Sequence, residues 1–261
     1  MITILTATYN RENTLPRLFN SLRAQTSMNF EWVVVDDGSC DGSLELLNEY
    51  SHLAGFDVRI ISQVNSGKHI ALNKGVTYAR GSWVLVVDSD DALVPVAVEV
   101  ITGALPPENS SVVGLCYRKA YFDMRLVGEK IKSDNLPLVL APTEAGHLFK
   151  GDLAYLFKTA CFLKYPFPVF SGEKFVPELY IWNQIADEGA VWFFSETILY
   201  LCDYLEDGYS KNFSSNLRKN PNGFLVFYWA QINRESNPLY KAKYLIRSAQ
   251  CYFYMLLKRL S

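Results

Sequence analysis

Short apolar runs that break off into polar residues recur through the first hundred positions. Ile2-Thr3-Ile4-Leu5-Thr6-Ala7-Thr8 gives way to Tyr9-Asn10-Arg11, and Phe30-Glu31-Trp32-Val33-Val34-Val35 gives way to Asp36-Asp37-Gly38-Ser39. Trp83-Val84-Leu85-Val86-Val87 runs into Asp88-Ser89-Asp90-Asp91. Brief β-branched and aliphatic runs bounded by turn residues read as buried strands. Between them the apolar residues fall at helical spacing. Leu15, Leu18, Phe19 and Leu22 predict one helix, capped by Asn13 or Thr14, and Leu44, Leu47 and Tyr50 predict a second. A short strand at Val58–Ile61 leads to a third helix over Ile70 to Ala79. Strands alternating with helices imply a mostly parallel central sheet with helices on both faces. Val112–Tyr117 reads as the next strand, and residues 123–147 as irregular chain or a hairpin.

Chemistry enters at the strand ends. Asp88, Asp90 and Asp91 crowd three carboxylates onto one turn, and like charges that close repel unless a cation lies between them. Oxygen-only ligands on a tight turn suit Mn²⁺ or Mg²⁺. The structural alternative is that Asp91 caps a helix beginning near Pro95. Three strands that each deliver polar residues at their carboxyl ends mark the crevice where open α/β sheets bind ligands.

Composition narrows the class. With 261 residues, 49% of them hydrophobic, the chain can fill one large α/β core with an extension. A net charge of -2 gives no electrostatic basis for binding nucleic acid. Five scattered cysteines argue against a zinc site or a disulfide framework and fit a reducing compartment, so a cytoplasmic location is expected. The amino terminus reads as a strand rather than a signal peptide, and no apolar stretch is long enough to cross a bilayer.

The strand-end residues also carry a resemblance. Ala7-Thr8-Tyr9-Asn10, Leu15, Ser21-Leu22-Arg23-Ala24-Gln25-Thr26, Phe30-Glu31, Asp36-Asp37-Gly38-Ser39, Asn65-Ser66-Gly67-Lys68 with Ala71-Leu72-Asn73, and Asp88-Ser89-Asp90-Asp91 are similar in order and spacing to the family 2 glycosyltransferases. The resemblance covers roughly the first half of the chain. It implies a GT-A, Rossmann-like fold and an inverting, metal-dependent transferase that uses a nucleoside diphosphate sugar. The expected division is a catalytic domain at 1–215, with a nucleotide-sugar-binding half at 1–117 and an acceptor-binding half at 118–215. A helical extension at 216–261 follows.

Roles follow from the resemblance together with chemistry. Tyr9 would stack on a base and Asp37 would accept from a ring N–H, positions that hold uracil in the family, so the donor is expected to be a UDP-sugar. Lys68, beside Gly67 at a helix start, suits phosphate. Asp88 and Ser89 fall at the ribose, and Asp90 at the metal that would offset charge on the departing diphosphate. Glu178 opens a helix after Pro177 and is the candidate base for the acceptor hydroxyl, with Glu173 competing. Pro-Glu stands where many members have Glu-Asp or Asp-Asp. Asp152 is expected either to bind acceptor or donor sugar or to cap a helix over Leu153 to Phe157. Asp207, in a polar loop, is expected to supply a third metal ligand or to yield that place to water.

The stretch 236–261 holds Lys241, Lys243, Arg247, Lys258 and Arg259 and no acid, interleaved with Leu, Tyr and Phe. It reads either as a basic helix lying on an anionic membrane, peripheral on the inner face, or as a helix packed on the catalytic domain. The resemblance implies a glycan or lipid-linked acceptor in bacterial surface polysaccharide synthesis. Two rivals remain at this level. A nucleotidyltransferase would need a glycine-rich phosphate loop after the first strand, which Tyr9-Asn10-Arg11-Glu12-Asn13 lacks. A non-catalytic sugar-nucleotide-binding protein would keep the acids without turnover.

Overall fold

The computed structural model describes residues 1–132, 137–203 and 212–260, with side chains described through 258. The elements run β1 (Ile2–Thr8), α1 (Leu15–Arg23), β2 (Phe30–Asp36), α2 (Ser43–Leu53), β3 (Asp57–Ser62), α3 (Lys68–Val76), β4 (Trp83–Val86), β5 (Ala92–Leu93), α4 (Ala97–Ala104) and β6 (Val112–Tyr121). They continue as β7 (Leu138–Val139), α5 (Pro142–Phe149), β8 (Leu153–Lys158), α6 (Thr159–Lys164), α7 (Leu179–Ala186), β9 (Ala190–Cys202), α8 (Phe213–Lys219), α9 (Pro221–Arg234) and α10 (Pro238–Leu260). Among the described residues the strands form one sheet in the order β3-β2-β1-β4-β8-β6-β9-β5, with β7 pairing on β9.

The first four strands in that order are parallel, as the alternation of runs and helices predicts. Their side chains divide by period two between the faces. Ile2, Ile4, Trp32 and Val34 pack under α1, α2 and α4, whereas Leu5, Val33 and Val35 pack under α3 on the other face. β8 then reverses direction. It is antiparallel to both β4 and β6, so β6 regains the direction of β1 and β9 keeps it. The carboxyl ends of β1, β2, β4, β6 and β9 therefore share one edge, and the amino end of β8 reaches the same edge.

Three expectations are corrected. Residues 142–149 are helical rather than irregular: Pro142 starts α5, the Glu144 carboxylate accepts from the Ala141 N–H at 2.9 Å, and Lys150 ends the helix at φ 48°. Leu153–Lys158 is a strand, so Asp152 caps no helix there. Asp91 caps no helix either, because α4 begins six residues on, behind Val96.

The C-terminal helices α8, α9 and α10 pack together and against the sheet-bearing part of the chain. Leu217, Phe224, Leu225, Tyr228 and Cys251 form a small core of their own, with Phe175 packed against it. α10 turns Ser248 and Cys251 inward, and its opposite side is exposed.

The other edge of the sheet is closed by Glu31, a residue that the family resemblance alone does not explain. Its carboxylate, 1% exposed, accepts from Thr3 Oγ1 at 2.7 Å, Arg80 Nε at 2.9 Å, Gly81 N at 3.1 Å and the Arg80 N–H. Burial would raise its pKa, but these donors override burial and hold it below the ordinary 4.5. A depressed carboxylate stabilises the fold above its unfolded pKa, and that contribution is lost as pH falls through the folded value. Glu31→Gln should therefore cost about 2–3 kcal/mol at neutral pH by urea denaturation, because it strands buried donors. The gap to wild type should close as pH falls below 4.5.

Candidate active site

The shared edge opens into a cleft of about 900 Å³. Tyr9, Asp37, Lys68, Asp88, Ser89, Asp90, Asp152 and Glu178 all line it, so the structure brings together nearly every residue that the sequence singled out. Tyr9 is 45% exposed, with its ring available for stacking. Asp207 lies outside the described residues.

The acids at the end of β4 are the electrostatic centre. Asp88, Asp90 and Asp91 offer carboxylate oxygens within 4.8 Å of one another. Burial, and then the charge of Asp88, pushes Asp90 up. Burial pushes Asp91 up to about 7, with Asp88 and Asp90 adding to the rise. Asp88 goes the other way: burial would raise it, but Lys68 overrides burial and holds it low. Two of the three carboxylates are thus reluctant to ionise in the absence of further positive charge. That donor set, all oxygen and compact, fits a hard divalent cation such as Mn²⁺ or Mg²⁺.

Lys68 sits between the two halves of the cleft. Its ammonium lies 2.6 Å from Asp88 Oδ1 and 2.7 Å from Glu178 Oε1. Burial opposes its charge, yet the two carboxylates raise its pKa well above the ordinary value. The backbone that delivers it is constrained. Gly67 stands at φ 103°, and a Cβ there would meet the Lys174 backbone at 2.3 Å. Asp37 accepts from the Ser66 and Gly67 N–H groups at 2.8 and 2.7 Å and from Gln63 Nε2 at 2.7 Å. Asp37 therefore anchors the turn before α3 as well as lining the cleft.

The two rival glutamates separate cleanly. Glu178, at the N-terminus of α7, faces the cleft and reaches Lys68. Glu173, 3% exposed, turns away. Its carboxylate accepts from Asn222 N at 3.0 Å, Asn222 Nδ2 at 2.7 Å and Gly223 N at 2.9 Å, which closes the first turn of α9. A carboxylate on free N–H groups at a helix start is a capping arrangement.

Three contributors escaped the sequence reading. Lys119, on β6, is held charged by Asp91, Asp88 and Asp152 against burial, and its ammonium lies 3.9 Å from the centre of the Tyr200 ring. The Tyr200 hydroxyl, from β9, accepts from the Asp88 N–H at 2.8 Å. The Arg17 guanidinium, from α1, donates to the Asp90 carbonyl oxygen and lies 3.8 Å from Asp203. No local motif marks any of them. The available signal was that Lys119 and Tyr200 fall near the carboxyl ends of apolar runs.

With this geometry in hand, comparison with known proteins is informative. A family model described as glycosyl transferase family 2 matches residues 3–155. The chain belongs to that family. The putative glycosyltransferase EpsH of Bacillus subtilis (strain 168) is 34% identical over 122 residues, 47% of this chain and 35% of that protein. The cholesterol galactosyltransferase of Borreliella burgdorferi is 30% identical over 158 residues, 60% of this chain and 43% of that protein. This family 2 chain thus spans less than half the length of these two relatives. Among solved structures, S. aureus TarS 1–349 in complex with UDP-GlcNAc gives a TM-score of 0.72 at 19% identity, over 97% of this chain and 72% of that one. The mannosyltransferase PcManGT of Pyrobaculum calidifontis, in complex with GDP-Man and Mn²⁺, gives 0.61 at 16% identity, over 96% and 69%. The fold is GT-A, as the resemblance implied.

Two outcomes follow for this glycosyltransferase-family site. Glu173→Gln should lower stability by roughly 1–3 kcal/mol in denaturant, the scale of a weakened buried cap, and should leave nucleotide affinity unchanged in calorimetry. Asp91, with its folded pKa raised to about 7, favours the fold when protonated, and that advantage fades as pH rises from 3.8 through 7. Asp91→Asn should therefore raise the melting temperature of the ligand-free protein at pH 8 and leave it unchanged near pH 4.

Proposed function

We propose that this protein is an inverting glycosyltransferase that moves a sugar from a nucleoside diphosphate sugar, a UDP-sugar in the first instance, to a hydroxyl of a glycan or lipid-linked acceptor. The observation that carries the reading is the Lys68 bridge, because one ammonium touches both an acid of the Asp88–Asp91 cluster and the glutamate at the start of α7. The donor's diphosphate and the acceptor's hydroxyl would then meet within a few ångströms. The UDP and UDP-GlcNAc complexes of TarS and the GDP-Man complex of PcManGT support a nucleotide-sugar donor.

Each residue takes a physical task. Tyr9 stacks on the base, and Asp37 holds the turn beneath it and accepts from the base with its remaining lone pair. Asp88 and Ser89 bind the ribose. Lys68 turns from Glu178 toward the incoming diphosphate, whose charge exceeds that of one carboxylate, and the glutamate is released. Glu178 then takes the proton of the acceptor hydroxyl as its oxygen attacks the anomeric carbon. The carbon–oxygen bond to the diphosphate breaks on the opposite face, and the bonding pair leaves with the nucleoside diphosphate. Asp90, with Asp88 and Asp91, would hold Mn²⁺ or Mg²⁺, and the ion supplies charge neutralisation for the leaving group. Lys119 opposes the rise of the Asp91 pKa from behind.

A panel of UDP- and GDP-sugars with Mn²⁺ or Mg²⁺ should reveal one donor that is hydrolysed slowly and that raises the melting temperature; no response to any of them would refute the reading. With the active donor, Glu178→Gln should lower transfer by on the order of 10²–10⁴ with donor affinity nearly unchanged. Asp90→Ala should abolish transfer and remove the metal dependence of nucleotide binding. Near-normal turnover of Asp90→Ala in the presence of a chelator would overturn the metal assignment.

A further inference from the structure

The outer side of α10 carries an exposed apolar stripe. At 100° per residue, Leu239, Ala242, Leu245, Ile246, Ala249, Tyr252, Phe253, Leu256 and Leu257 fall within roughly 140° of arc, along a helix about 34 Å long. The same stripe points outward. Leu239 is 79% exposed, Ile246 69%, Phe253 56% and Leu256 58%, whereas Ser248 and Cys251 face α9 and are buried. A helix with one apolar side would bury that side. This one packs a narrow seam and leaves a broad apolar face in contact with water, which is the mark of an interaction surface.

The charges beside the stripe say what covers it. Lys241 lies at one margin of the arc and Lys243 at the other, and 236–261 contains no acid. Two copies pairing through this face would set lysines against lysines in a parallel arrangement, and in an antiparallel one would leave the lysines with no acid of 236–261 to meet. Like charges disfavour the first, and the second leaves the lysines without a counter-charge. A surface that is apolar in depth and anionic at its rim satisfies both features at once. Among the described residues no helix is long and apolar enough to cross a membrane, so contact would be in the plane. We propose that α10 lies along an anionic lipid bilayer, with Leu245, Ile246, Phe253 and Leu256 in the headgroup–acyl boundary and Lys241 and Lys243 at the phosphates. The inference rests on α10 alone and stands apart from the transferase reading.

Vesicle flotation of the full chain tests it. One set of vesicles is phosphatidylcholine alone, and the other contains phosphatidylglycerol, mixed at roughly three parts to one. The protein should float with the anionic vesicles and not with the neutral ones, and binding should weaken as salt is raised. Ile246→Glu with Phe253→Glu, both at exposed positions, should lower bound protein at least about tenfold. Lys241→Gln with Lys243→Gln should lower it several-fold without touching the apolar stripe, and decides the matter if the glutamate variant fails to fold. Wild-type protein that ignores anionic vesicles at low salt would overturn the proposal, as would full binding by the lysine variant. So would a lipid-free dimer, seen by light scattering, that the glutamate substitutions dissolve, since the stripe would then belong to a second copy.

Discussion

Lys68 occupies a place where a cation is at a disadvantage. It is the first residue of α3, and a positive charge at a helix N-terminus opposes the macrodipole by roughly 0.3–1 kcal/mol. Two contacts outweigh that cost. Asp88 at 2.6 Å and Glu178 at 2.7 Å both pair with the ammonium, and their charges raise its pKa well above the ordinary value against burial. The dipole itself is met separately, by Asp37 on the Ser66 and Gly67 N–H groups. The positive φ of Gly67 and the tie of Lys174 Nζ to Asn65 Oδ1 then fix the loop from both sides. A β2 turn, an α3 start, a β4 turn and an α7 start are thereby locked to one ammonium. Without that ion pair the two halves of the cleft would present like charges to each other.

The charge of the cleft explains why such a clamp is needed. Asp37, Asp88, Asp90, Asp91, Asp152, Glu178 and Asp203 line it, against Arg11, Lys68, Lys119 and Lys174. An acid-rich crevice does not attract a diphosphate by itself. Under the proposed reading a divalent cation would accompany the diphosphate, and the raised pKa values of Asp90 and Asp91, set first by burial and then by their acidic neighbours, are what such a cation would relieve. Lys119 and Tyr200 work behind the acids. Burial and the nearby carboxylates keep the Tyr200 phenol protonated, so its oxygen holds the Asp88 backbone from below.

Much of this was legible in the sequence, for a reason that also sets the limit. β1, β2 and β4 are continuous apolar runs because parallel strands covered on both faces bury every side chain, and the residues after them must then lie at one edge. Tyr9, Asp37, Asp88 and Asp90 follow from that rule. Lys119 and Tyr200 do not, since their arrival depends on β8 running antiparallel between β4 and β6. The polar residue before Leu153–Lys158 imitates a helix cap, and alternation over six residues is a weak signal. The choice between Glu173 and Glu178 was equally hidden. The two stand five residues apart, and what separates them is the start of α9, nearly fifty residues further on.

That same segment gives the helical extension a place in the site. Glu173 caps α9, the Lys174 N–H donates to Asn220 Oδ1 at 2.8 Å, and Gly223 lies so close to Phe175 that a Cβ would meet its carbonyl oxygen at 2.3 Å. Three consecutive residues are thus fastened to the head of α9, and Glu178 follows three residues after them across Pro177, whose ring limits the backbone freedom of the link. α9 in turn carries α10 through Tyr228 and Cys251. The carboxylate that faces Lys68 is consequently positioned from two directions, by the ion pair in front and by the helical hairpin behind. The C-terminal helices therefore belong to the scaffold of the cleft.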